Sequence, residues 1–100
     1  MRVLHEVVHH GRKSIQGERI VALPSGVRLR AHVERDSYDF QSLAVVSILT
    51  GERGWQPLAY LPIGVMAVFP YSYTQDREVW EHAMREDLTA LIELGRTVMS

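Results

Sequence analysis

VRLRAHVE, residues 27–34, alternates without a break: Val27, Leu29, Ala31 and Val33 are apolar, while Arg28, Arg30, His32 and Glu34 are charged or imidazole-bearing. Successive side chains of a strand point to opposite faces, so this stretch predicts a strand with one face in a core and one in water. Just before it, Pro24-Ser25-Gly26 has the chemistry of a tight turn. ERIVAL (18–23) then reads as the first strand of a hairpin. The valine-rich opening, Arg2 to His9, predicts a further strand beside these two.

Beyond the hairpin, DSYD (36–39) is turn-like and FQSLAVVSIL (40–49) predicts a strand apolar on both faces. Phe40, Ala44, Val46 and Ile48 lie on one side, and Leu43, Val45 and Leu49 on the other. A strand buried on both sides is expected near the centre of a sheet. TGERG (50–54) is a hairpin loop leading to WQPLAYLP (55–62), where Pro57 suggests a sheet edge. IGVMAVFP (63–70) reads as one more short strand or a packed irregular segment.

The last quarter changes period. Val79, Trp80, Ala83, Met84, Leu88, Leu91, Ile92 and Val98 recur at helical spacing and predict an amphipathic helix over 75–98. Thr74 suits its N-cap, Asp76 and Glu78 its first turn, and Glu81 with Arg85 an i, i+4 pair. Gly95 suggests where it ends or frays. The expected architecture is a single α+β domain over 1–100, an antiparallel sheet of about five strands (2–69) with one long C-terminal helix on one face. The second apolar face then needs cover, either from residues 55–70 or from another copy of the chain, and a homodimer is the preferred expectation.

Composition narrows the function classes. Apolar residues make up 46% and charged ones 23%, ordinary for a globular domain, and the net charge of −1 gives no global pull towards nucleic acid or anionic lipid. The charge is uneven: residues 1–35 sum to +4 and residues 36–100 to −5. With no cysteine, disulfides, thiol catalysis and cysteine metal sites are excluded. Arg2, His5 and Glu6 interrupt any signal-peptide core. The apolar run Leu58–Phe69 holds Pro62 and Gly64 and falls short of the roughly 20 residues a bilayer needs. A cytoplasmic, non-membrane protein is expected.

Residues 5–9, HEVVH, match the zinc-hydrolase pattern H-E-x-x-H, with His5 and His9 as ligands and Glu6 as base. That chemistry needs a helix, which brings both imidazoles to one ion. Val7 and Val8 are β-branched and Gly11 stops the element, so a strand is expected instead, with the imidazoles roughly 13 Å apart. No catalytic residue, cofactor or metal is therefore assigned. Arg28, Arg30 and Arg35 form a basic set that could follow a nucleic-acid backbone, although no aromatic alternates with them and Glu34 interrupts the row. Trp55, Tyr60, Tyr71 and Tyr73 are candidate anchors for a protein partner.

RDSYDFQSLAVVSIL (35–49), GWQPLAYLP (54–62) and PYSY (70–73), ahead of a charged C-terminal helix, resemble small uncharacterised proteins of actinobacterial bacteriophages. The resemblance spans roughly residues 27–95 and rests on Tyr38, Phe40, Gln41, Ser42, Trp55, Leu61-Pro62 and Ser72-Tyr73. It implies a setting in an infected bacterium and no particular activity. Ten arginines against the single Lys13 fit the GC-rich coding of such genomes. The expectation is a non-enzymatic accessory protein acting on a protein partner, with a host factor, host modulation or growth inhibition as the implied context. Nucleic-acid binding is the alternative and zinc hydrolysis the remote one.

Overall fold

The computed structural model describes residues 1–11, 14–36, 42–62 and 77–99. Within them lie β1 (Arg2–His10), β2 (Ser14–Ala22), β3 (Arg28–Asp36), β4 (Leu43–Thr50), β5 (Gly54–Tyr60) and the helix α1 (Arg77–Met99). The strands form one antiparallel sheet in the order β1-β2-β3-β4-β5, each pairing with its neighbour in sequence. The helix packs across β2 to β5 on one face. This is the α+β arrangement that the alternation and the change of period predict. No helix among the described residues is long and apolar enough to cross a membrane.

The register shows how VRLRAHVE organises the core. Leu29 pairs with Val21 and Ile48, Ala31 with Arg19 and Val46, and Val33 with Gly17 and Ala44, all on the helix side. Trp80, Met84, Leu88, Leu91 and Ile92 of α1 close over them. Leu29, Val33, Leu88 and Leu91 are wholly buried, each contributing roughly 1.5–3 kcal/mol through loss of apolar surface from water. The turns follow the glycines: Gly26 (φ +91°) and Gly54 (φ +68°) take the left-handed backbone that other residues avoid.

Two other glycines set how closely helix and sheet approach. A Cβ on Gly17 would lie 2.5 Å from Met84 Cγ, and one on Gly95 would lie 2.8 Å from Val46 Cγ2. Gly95 is therefore a packing position, and α1 runs through it to Met99, past the end expected from sequence. Its helical penalty of about 1 kcal/mol is offset by the contact it permits.

Other expectations also shift. β2 begins at Ser14, four residues earlier than the apolar pattern suggested, because a strand bonded on both sides tolerates the weak formers Gln16 and Gly17. The central strand is β3; β4 lies next to the edge, with Leu43 and Leu49 exposed on the face away from α1. Val79 and Val98 flank the helix stripe and are half exposed, whereas Asp87 and Gly95 lie within it. Phe40, the 63–70 segment, the Thr74 cap, Tyr71 and Tyr73 lie outside the described residues.

Candidate interaction surface

The face away from α1 is built by the alternate residues of each strand. One cross-strand row reads His5, Ile20, Arg30, Ser47 and Pro57; the next reads Val7, Glu18, His32, Val45 and Tyr60. No described element packs over it. Its polar half centres on Glu18, whose carboxylate meets His5 Nε2 at 3.5 Å, Arg30 Nε at 3.8 Å and His32 Nδ1 at 3.9 Å. Glu34 lies beside His32 (3.6 Å) and accepts a hydrogen bond from Gln16 Nε2 at 3.0 Å. Val7, His9, Gln16, Gly17, Glu18 and His32 line a shallow depression of about 280 Å³. The other half is apolar, with Leu43, Leu49 and Tyr60 exposed and Trp55 beneath the Arg30 guanidinium, 5.0 Å from its ring centre. A cation over an aromatic face is attracted by the ring quadrupole.

The basic set does not assemble as expected. Arg28 and Arg30 share this open face, but Arg35 has the parity of Leu29, Ala31 and Val33 and points under α1. Its side chain is fully buried, and Nε and Nη2 donate to Asp87 Oδ2 at 3.0 and 2.9 Å. A guanidinium taken out of water requires such a partner. The strand alternation itself carried the signal, since Arg35 falls in the apolar phase of β3 just as Asp87 falls in the apolar phase of α1. An aromatic, which the row of arginines lacked in sequence, arrives from β5 as Trp55. Tyr60 is exposed on the same face.

The HEVVH residues lie in β1. His5 and His9 are on the open face, paired with Ile20 and Gln16, and Glu6 is on the opposite face against Arg19. The helical turn that would bring two imidazoles and a carboxylate together is not formed. Among the described residues no three His, Asp or Glu side chains converge as a metal site would require.

Among the described residues β1 is an edge strand whose ladder is to β2. Val3, Leu4 and Val7 are exposed, and Val8 packs partly against the core. The helix reaches it through polar groups: His10 Nε2 and Glu81 Oε1 are 3.1 Å apart, and Arg85 Nε lies 3.6 Å from Glu6 Oε2. Glu6 also pairs with Arg19, whose Nη1 donates to Thr89 Oγ1 at 2.8 Å. The hydrogen bond with His10 holds the Glu81 carboxyl below its ordinary value, with the charges of His10 and Arg85 acting in the same direction against the opposing effect of desolvation.

The ladder phase fixes which backbone groups of β1 are free to pair outward. The Gly11 N–H donates to the Ser14 carbonyl at 2.8 Å, which makes Gly11 and Ser14 a bonded pair. Bonded and non-bonded pairs alternate along an antiparallel ladder, so His9 and Val7 bond inward to β2 while His10, Val8 and Glu6 turn their N–H and C=O outward. The phase of the β2–β3 hairpin agrees: Leu23 N–H bonds to the Val27 carbonyl, and this leaves Gln16, Glu18 and Ile20 to pair with β1. At Leu4 a bulge interrupts the register, so the regular edge runs from His5 to His10.

Together these features define an α+β sheet-and-helix protein with one face carrying no described cover and one open edge. No protein-family model, curated protein or solved structure matches the chain.

Proposed function

We propose that this chain is a non-enzymatic protein-binding domain that takes up an extended strand of its partner along β1. The observation that carries the reading is the contrast between the two sheet edges. β5 is seven residues long, is bulged in its pairing with β4, and contains Pro57, which has no N–H to offer. β1 is nine residues long, has no proline and, past its bulge at Leu4, is regular from His5 to His10; it exposes Val3, Leu4 and Val7 and turns the backbone groups of Glu6, Val8 and His10 outward. An edge of this kind is the substrate of strand addition, where main-chain hydrogen bonds supply affinity and alternate side chains supply specificity. In line with the resemblance to phage proteins, the partner belongs to the infected cell or to the phage itself.

Capture from bacterial lysate with three forms of the immobilised chain tests this. Val8→Pro removes an outward N–H without touching the β1–β2 ladder, while Trp55→Ala alters only the open face. A protein retained by the wild type and by Trp55→Ala but lost from Val8→Pro is the expected result. Retention that ignores Val8→Pro would refute strand addition.

A second reading is favoured by the Arg30–Trp55 stack, since a basic and aromatic surface suits single-stranded nucleic acid. It requires binding that weakens with salt and is lost in both Trp55→Ala and Arg28→Ala.

A further inference from the structure

Resting on the strand-addition reading, we infer that the occupant of the β1 edge is the β1 of a second copy, paired antiparallel across a two-fold axis at Val8. In an antiparallel ladder, opposed residues share a face, so a symmetric pairing must place one residue against its own copy. Four centres are open to the regular edge. At His9, two imidazoles would face each other and each Val8 would oppose a His10. At Glu6, two carboxylates would face each other. At Val7, each Glu6 would oppose a Val8 and each His5 a His9, with no charge matched. At Val8, valine meets valine on the axis, and Glu6 meets His10 of the other copy twice, once on each side. An imidazole in register with a carboxylate can donate a hydrogen bond to it and favours a pairing, while two carboxylates in register oppose it.

Length narrows the choice: the regular edge from His5 to His10 is centred between Val7 and Val8, and of these two only Val8 sets Glu6 against His10. Val8 is also one of the residues whose backbone groups point outward, so the two copies of Val8 form a bonded pair. The axis stands perpendicular to the sheet, which places both helices on the same side. α1 is centred over β3, and from β3 to its copy is five strand spacings, about 24 Å, against a helix width of about 10–12 Å. The helices do not collide. Between them the seam carries the Glu6–Arg19–Arg85 and His10–Glu81 pairs of both copies, joined into one network by the new Glu6–His10 contacts.

The test uses the full chain, which has no cysteine of its own. Sedimentation equilibrium of the unmodified protein at about 100 μM should give twice the 11.4 kDa chain mass, corresponding to a Kd of micromolar order. Val8→Cys should crosslink to a covalent dimer under oxidised glutathione, because a bonded pair sets the Cα atoms about 5.5 Å apart, within disulfide reach. Val7→Cys should not crosslink, and Val8→Lys should weaken the dimer about tenfold by placing two ammonium groups together. A chain that stays monomeric to about 1 mM would overturn the inference without any substitution. If lysate capture still depended on Val8, the strand-addition reading would stand with another occupant. A dimer that crosslinks through Val7→Cys, or that ignores Val8→Lys, would overturn it as well.

Discussion

Replacing Asp87 by asparagine leaves the Arg35 guanidinium charged, fully buried and opposite a neutral amide. In the native protein Arg35 Nε and Nη2 both donate to the single oxygen Oδ2, and the two side chains are 0% and 3% exposed. Screening by water is therefore minimal, and removing one charge of such a pair costs about 3–5 kcal/mol. A domain of this size is held by roughly 5–15 kcal/mol in total, so Asp87→Asn is expected to lose about a fifth of it or more. At about 4–8 °C per kcal/mol the thermal midpoint falls by at least about 12 °C. Urea unfolding followed by circular dichroism, with the slope checked for constancy, reads the loss directly. The double variant Arg35→Met/Asp87→Leu removes both desolvated charges while keeping bulk, and should recover most of the stability. If Asp87→Asn cost less than about 1 kcal/mol, or if the double variant were as weak as the single one, the argument that this pair seats α1 on β3 would fail.

Three further outcomes are expected. Gly95→Ala gains helical propensity but drives a methyl into the branched Val46, for a net loss of about 1–2 kcal/mol in urea unfolding. Gly17→Ala presses mainly on the flexible Met84, with Leu88 Cδ1 in contact at 3.4 Å, and should cost less than Gly95→Ala; the reverse order would show that the helix–sheet spacing is set elsewhere. The Glu81 carboxyl, lowered chiefly by its hydrogen bond with His10, contributes stability that is present above the unfolded carboxylate value, near 4.5, and is lost as pH falls through the lower folded one. Carbonyl-detected NMR titration should show the Glu81 midpoint rising in His10→Ala, and an unchanged midpoint would remove His10 as the cause.

Much of the fold is legible in the sequence because burial on one side of a meander writes itself as alternation. VRLRAHVE gives its own orientation, and the period shift after residue 77 gives the helix. The misread positions share a physical cause. Arg35 and Asp87 are charges at apolar phases, and each looks like a surface residue until the other is placed opposite it. Gly95 looks like a stop because composition cannot distinguish a terminating glycine from one pressed against Val46. FQSLAVVSIL looks central because its two faces are apolar, yet among the described residues only β5 lies beyond β4. The open edge of β1 was half legible: the strand could be read from its valines, but which backbone groups face outward depends on ladder phase, which no side-chain pattern records.

The meander order has a kinetic consequence. Every strand bonds to the one made just before or just after it, so each pairing closes a short loop and little chain entropy is lost before contacts form. Hairpins can accumulate one upon another in either direction along the ribbon. The step that cannot begin early is the arrival of α1, since its seat spans β2 to β5 and exists only once those four are joined. Folding should therefore be quick for a β-rich chain, with a late barrier crossing dominated by the docking of Trp80, Met84 and Leu88. Trimming these three should slow refolding more than it speeds unfolding.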